Sequence, residues 1–344
     1  MTDTTTSYTP DERQLDWIEQ GVLRRAGPDG LADYRRMLAE DHAAALEPQP
    51  ERNQVPTETA QALAKPEVIQ FPFWPDTHRA APNAFLRSAL FGVVKKGARK
   101  RYRNAKLATW EGNELSYTGE QLDQYDLDVF CHLVHICRQQ GIEPGKLFHV
   151  NAKARSFWGG FGRARGGDTA LRFYDSVDRM KATSVKVRVP FGGERVKLFR
   201  SLIESAAQVE GKEQWAVILD PVLIHFFAPG EYSWLDWDAR HRLKTQLAQW
   251  LQGHVASHDT PPGKPHRDAV TSLHELCGSQ SELKRFRFNL RLAMKDLKRL
   301  KLVTMWRITD NDALEFTRPM SRSRQKKLVK KAIRQISSGE NHGP

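Results

Sequence analysis

Lys284, Arg287, Arg291, Lys295 and Lys298 return every three or four residues along SELKRFRFNLRLAMKDLKRLKL, residues 281–302, a spacing that gathers side chains on one side of an α-helix. Arg285 adds a further cation beside them. Ammonium and guanidinium groups in such a row make and break no bonds. They hold anions, and a repeated row of them suits the repeated phosphates of a nucleic acid. Only Glu282 and Asp296 oppose them within the stretch, whereas a helix built for surface stability interleaves acids with bases at i,i+4. Leu283, Phe286, Leu290, Ala293, Leu297 and Leu300 keep the same period in another direction. The helix therefore has one face to bury and a basic face to present, as the major-groove helix of a helix-turn-helix does.

Other residue sets also carry groups that could do chemistry. Arg163 and Arg165 lie in the glycine-rich GGFGRARGGD, residues 159–168, which lacks both the Gly-Lys-Ser/Thr of a phosphate loop and the GxGxxG pattern. Asp168 or Thr169 is expected to cap a helix through Ala182 that carries Arg172 and Arg179, and Lys186 and Arg188 share one face of the strand that follows. All six join the helix at 281–302 as candidate DNA contacts. Lys95, Lys96, Arg99, Lys100, Arg101 and Arg103 form a dense run that is either unstructured or a loop riding on phosphates. CHLVHIC, residues 131–137, offers Cys131, His132, His135 and Cys137, but one helix cannot aim all four at a single ion, and core packing is the better reading. Asp126-x-Asp128 and Asp236-x-Asp238 resemble metal-holding pairs of polymerases and primases. The first pair diverges on a helix, and the second stands where N-terminal capping acids belong. No His-x-His of a nicking initiator occurs. The expectation is a protein that is no enzyme and holds neither metal nor cofactor.

These groups need elements to hold them. The chain has 344 residues and a net charge of +12, with a pI near 9.6, so a polyanion is the default partner. No apolar run suits a membrane span, the N-terminus does not read as a signal peptide, and Cys131, Cys137 and Cys277 read as reduced core thiols. A cytoplasmic location follows as an expectation. Residues 1–65 read as a flexible, partly helical extension and linker. From 66 to 228 the pattern is a helix over Leu122–Gln139, a strand at Phe148–Val150, a short helix over Ala152–Trp158, the Arg172 helix, and a two-stranded wing over Val185–Val189 and Arg195–Ile203. Thr109–Gly119 predicts a further hairpin turning at Gly112-Asn113. From 229 to 318 the pattern repeats: a helix over Asp238–Val255, a short helix over Asp268–Cys277, the basic helix, and a hairpin over Val303–Ile308 and Ala313–Thr317. The fold expected is α+β, two tandem winged helix-turn-helix domains, followed by a basic C-terminal tail at 319–344.

Between these readings lies QFPFWPDTHRAAPNAFLRSALF, residues 70–91. Trp74-Pro75-Asp76-Thr77, Arg79-Ala80, Pro82-Asn83 and Arg87-Ser88-Ala89-Leu90-Phe91 resemble, at the same spacing, the TrfA family of plasmid replication initiators. The resemblance extends as a pattern to Arg318. It implies two winged-helix domains that bind iteron repeats of double-stranded DNA at a plasmid origin, open an adjacent A+T-rich region and take part in copy control. It also implies partnership with the host initiator and helicase, a homodimer among the assemblies, and a bacterial cytoplasm with the protein on plasmid or nucleoid. In that family a Gln-Leu-x-Leu-Phe peptide for the host sliding clamp precedes the WPDT element. Here Gln70-Phe71-Pro72-Phe73 stands in its place, so Gln70, Phe71 and Phe73 either dock on the clamp or pack on the first domain. A transcriptional repressor built from the same domains is the rival reading, and a nicking initiator or primase a remote one.

Overall fold

The computed structural model describes residues 71–319, except 96, 98, 111–114, 163–165, 192–193, 209–213 and 262–263, together with Pro28, Asp29, Ala32 and Arg36; at 187–191 and 194–199 it describes backbone alone. Expectations for the N-terminal extension, Gln70, the hairpin turn at Gly112-Asn113, Arg163, Arg165 and the basic tail beyond Pro319 lie outside the described residues. The chain divides into Met1–Ala64 and Lys65–Pro344, and the fold below belongs to the second unit.

The path runs β1 (His78–Pro82), α1 (Asn83–Leu86), β2 (Phe91–Gly92), β3 (Arg101–Leu107), β4 (Leu115–Glu120), β5 (Leu122–Asp123), α2 (Gln124–Gln139), β6 (Leu147–Asn151), α3 (Arg155–Phe161), α4 (Gly167–Lys181), β7 (Ser184–Phe191), β8 (Glu194–Arg200), β9 (Ile203–Gln208) and β10 (Gln214–Leu219). A 3-10 segment, Pro221–Phe227, then leads to β11 (Tyr232–Asp236), α5 (Trp237–Arg242), α6 (Gln246–Ser257), β12 (His266–Ala269), α7 (Val270–Leu276), α8 (Leu283–Arg299), β13 (Met305–Ile308) and β14 (Ala313–Thr317). Helix, short strand, short helix, helix and hairpin thus occur twice, first as α2, β6, α3, α4 and β7–β8, then as α6, β12, α7, α8 and β13–β14. The fold is mixed α and β.

α2 begins where Asp123 turns the chain into it: the Asp123 carboxylate accepts from the backbone N–H groups of Tyr125 and Asp126, and the Asp126 carboxylate accepts from the Asp123 N–H, a capping box that satisfies donors the first turn leaves open. Leu122 and Asp123 precede the helix as a strand parallel to β2, where the sequence suggested helix. α2 is buried along nearly its whole length, because α4, β1, α3 and α6 all pack on it. Its polar groups must then find partners. Asp128 pairs with Arg240, a fully buried side chain that also donates to the Gln124 side chain at 3.0 Å and to the Gln249 carbonyl at 3.1 Å.

Arg240 and Asp128 stand on opposite sides of the boundary expected near Pro229-Gly230, and so do β1 and β11, which pair antiparallel from His78↔Asp236 to Pro82↔Tyr232. Residues 65–344 accordingly form one compact unit. The wing of the first half is also larger than expected. β7 and β8 pair from Val185↔Arg200 to Phe191↔Glu194, but the sheet continues in the order β3-β4-β7-β8, and Ile203 opens β9 in a separate sheet, β6-β10-β9. The basic run from Arg101 is therefore a strand, held by pairing with β4. α4 is capped by Gly166, with Asp168 inside its first turn, not by the side chain of Asp168 or Thr169.

In the second half the helix expected over Asp238–Val255 is two. Leu243 leaves helical geometry at ψ 121°, and Thr245 restarts the chain as an N-cap whose hydroxyl accepts from Ala248 N–H. Leu243 is buried by the change. The short helix starts at Val270, because residues 266–269 form β12, which pairs with β14 in the sheet β12-β14-β13. Leu247, Trp250 and Leu251 of α6, Leu273 of α7, Phe286, Leu290 and Leu297 of α8, and Leu314 and Phe316 of β14 form one hydrophobic core. α8 rests on that core.

Candidate nucleic-acid interface

Phe286, Leu290, Ala293, Met294 and Leu297 are buried along α8, and Leu283 and Leu300 pack at its ends. With that face fixed, Lys284, Arg285, Arg291, Lys295 and Lys298 are turned to solvent. Among the described residues none of these five forms an ion pair, whereas Arg299 meets Asp296 at 2.9 Å. Between the cations stand Phe288 and Leu292, 60% and 47% exposed, one turn apart on the outermost line of the helix. A basic face with an apolar ridge suits a groove that offers phosphates at its rims and thymine methyl groups on its floor. The sequence reading passed over that ridge, although Phe288 and Leu292 lie at i and i+4 opposite the core residues.

Arg287 is different. Its Nε and Nη2 donate to the two carboxylate oxygens of Asp312 at 2.9 and 2.8 Å, the two-pronged geometry guanidinium favours. Those hydrogen bonds raise the Arg287 pKa and hold Asp312 below the ordinary carboxylate range. Asp312 sits at φ 52° in the turn between β13 and β14, so Arg287 fixes the hairpin against the helix.

The first half supplies a weaker face. Leu171, Arg172, Asp175, Asp178 and Lys181 are exposed on α4, where the acids cancel the bases. Arg172 lies over the Tyr125 ring at 4.5 Å. Arg179 is removed from the candidate DNA contacts: its Nη2 donates to Asp126 Oδ1 at 2.9 Å, a carboxylate that also accepts from Ser176 at 2.7 Å and Arg99 at 3.0 Å. Burial works against the Arg179 charge, but the attraction of Asp126 outweighs it and the pKa rises. The residue locks α4 onto α2. Arg99 likewise leaves the basic run for a structural role, bridging Asp123 at 2.7 Å. Arg101, Arg103 and Lys106 of β3 are exposed on the same sheet as Lys186, whose Nζ donates to Asn104 Oδ1 at 2.8 Å. Arg188 stands opposite Lys197 in β7–β8, its side chain outside the described set.

The remaining candidates resolve into packing. Phe71 is buried, 4.9 Å edge-on from Phe227, which removes it from a preformed clamp-docking peptide, whereas Phe73 is 76% exposed with the Arg138 guanidinium 5.5 Å from its ring. Cys131, His132, His135 and Cys137 are buried. Burial pushes the Cys131 and Cys137 thiols up to about 12, His135 accepts from Trp74 Nε1 at 3.0 Å, and His132 lies 5.0 Å from Phe157 and 5.3 Å from Phe161. Of the carboxylate pairs, Asp126 and Asp128 face different arginines and Asp236 caps α5 by accepting from Ala239 N–H at 2.9 Å. The fold gathers instead a set the sequence reading overlooked: His254 of α6 and His258, the residue that ends that helix, with His266 of β12, whose ligand atoms lie within 4.8 Å of one another. Its trace in the sequence was the four-residue spacing of His254 and His258 at the end of a helical pattern.

The model of the TrfA protein family matches residues 57–318. Among solved structures, the chain is similar to domains 2 and 3 of RctB at 12% identity and a TM-score of 0.48, over 70% of this chain and 99% of that one. It is similar to the Pi initiator protein, solved in complex with iteron DNA, at 12% identity and a TM-score of 0.42, over 66% of this chain and 100% of that one. No curated protein sequence matches.

Proposed function

Because the chain belongs to the TrfA family across residues 57–318, we propose that it initiates plasmid replication by binding iteron repeats in double-stranded DNA. The observation that carries the reading is α8, whose buried side is held by Phe286, Leu290 and Leu297 and whose opposite side presents five exposed cations around Phe288 and Leu292. Both helix-and-hairpin sets serve as winged-helix units. α8 is the principal reader, with Lys284, Arg291 and Lys295 toward phosphates and base edges and Phe288 and Leu292 toward thymine methyl groups. The Arg287–Asp312 pair holds the β13–β14 wing at the angle that lets both touch one duplex. In the first half, Arg172 and the cations on β3 and Lys186 supply phosphate contacts that position rather than specify.

Bound DNA opened at the origin, recruitment of the host initiator and helicase, copy control through a homodimer, and residence on the plasmid in the bacterial cytoplasm complete the proposal. The protein contributes binding energy and geometry, and no catalytic step of its own. An origin plasmid supplied with the chain in trans tests it. Maintenance of the plasmid in cells is expected; specific binding to the origin without maintenance would favour a repressor instead.

A further inference from the structure

We propose that His254, His258, His266 and Asp268 form a binding site for one divalent transition-metal ion, zinc by the chemistry of its donors, that pins α6 to β12. The three imidazoles come from α6, the residue that ends it, and β12, and they lie together: the His254 and His258 ring centroids are 4.4 Å apart, and those of His258 and His266 4.0 Å. His254 Nε2 lies 2.9 Å from Asp268 Oδ2, and His266 Nε2 lies 3.1 Å from the same oxygen. Ligands on a tetrahedral zinc ion with bonds of 2.0–2.1 Å are about 3.3 Å apart. Two edges of such a tetrahedron are therefore nearly in place. The separations of up to 4.8 Å among the three histidines close by a modest rotation of their rings.

Hydrogen bonding alone leaves the cluster unsatisfied. His258 Nδ1 lies 2.8 Å from the His254 carbonyl oxygen, so it donates there and its lone pair sits on Nε2. Among the described residues that Nε2 is buried and meets no hydrogen-bond partner, and His266 Nε2, 3.1 Å from Asp268 Oδ2, makes no well-formed hydrogen bond to it. Buried polar atoms without partners are uncommon, and an ion is one of the few things that accounts for two imidazole nitrogens at one point. Imidazole nitrogens with a carboxylate oxygen are a zinc donor set, and four protein ligands make a closed, structural site.

The surroundings agree. The Trp250 ring stacks on His254 at 4.8 Å, Trp110 meets His258 edge-on at 5.0 Å, and Phe316 lies 5.1 Å from His266. Such walls exclude water and strengthen each bond to a charge inside. Arg318 closes the side toward β14 by donating to the carbonyls of Ala256 and His258 at 2.6 and 3.0 Å. The ion would join α6, which supports α8, to the sheet that carries the β13–β14 hairpin.

The test uses the full-length protein without a histidine tag, dialysed against a strong chelator and titrated with Co(II), then Zn(II). Binding of about one equivalent per chain is expected, with the visible absorption of four-coordinate cobalt, displacement by zinc, and a melting temperature that rises on adding zinc. His258→Gln with His266→Gln should abolish all three, while His149→Gln, an exposed histidine on β6, should change none. Absence of stoichiometric uptake by the wild type, or uptake that survives the double substitution, would overturn the site. If the double variant fails to fold, the cobalt spectrum of the wild type decides alone, since six-coordinate cobalt or none refutes a closed four-ligand site.

Discussion

Replacing Lys284, Arg291 and Lys295 together by alanine should weaken DNA binding in a way that salt reveals. At about 100° per residue these positions share a sector of roughly 40° on α8, and all three are exposed with no ion pair among the described residues. Each cation that neutralises a phosphate contributes about 0.9 to the slope of log affinity against log salt. Losing three contacts therefore flattens the slope by up to about 2.7, and between 50 and 200 mM salt the triple variant should lose about 40-fold less affinity than the wild type. Surface substitutions of this kind change stability by less than about 0.5 kcal/mol, so melting should barely move. Fluorescence anisotropy on origin DNA across a salt series measures the slope, with thermal melting in parallel. A folded triple variant with the wild-type slope would refute the assignment of this face to DNA.

Three further outcomes follow from the same geometry. Leu290→Ala, at a fully buried position, should destabilise the protein by about 2–5 kcal/mol in a denaturant titration, the opposite signature to the cation variant. Arg179→Ala should cost stability, by about 1–3 kcal/mol because it strips a partner from the buried Asp126 carboxylate, while leaving the salt slope of DNA binding unchanged; a flattened slope at full stability would return Arg179 to the DNA face. Phe71→Ala should lower the melting temperature and Phe73→Ala should not, so that any loss of binding to purified sliding clamp in Phe73→Ala alone reports docking rather than unfolding.

α8 was legible in the sequence because everything that orients it is local. A helix repeats every 3.6 residues, so Phe286, Leu290 and Leu297 fall together, and Arg291 and Lys295 fall away from them, whatever the chain does elsewhere. The same locality made the β13–β14 hairpin and the order of elements in each half readable. Where local signals compete, the reading slipped: Leu243 was periodic enough to extend a helix that Thr245 restarts, and the cations of β3 looked like a loop until β4 paired with them. Side-chain assignments failed for a different reason. Arg172 and Arg179 stand seven residues apart on one helix, and only the packing of α2 against α4 places Asp126 beside Arg179, at 2.9 Å, while Arg172 stays exposed. Phe71 and Phe73 are the same residue type two positions apart, and only the fold sets Phe71 against Phe227 while Phe73 stays exposed. The union of the two halves rests on β1 with β11 and on Asp128 with Arg240, and the histidine set on α6 with β12. The sequence by itself determined which faces are apolar and which are basic, since periodicity sets direction within an element; the tertiary structure decided which charges are used up holding elements together, since those pairs form between parts of the chain whose distance only folding closes.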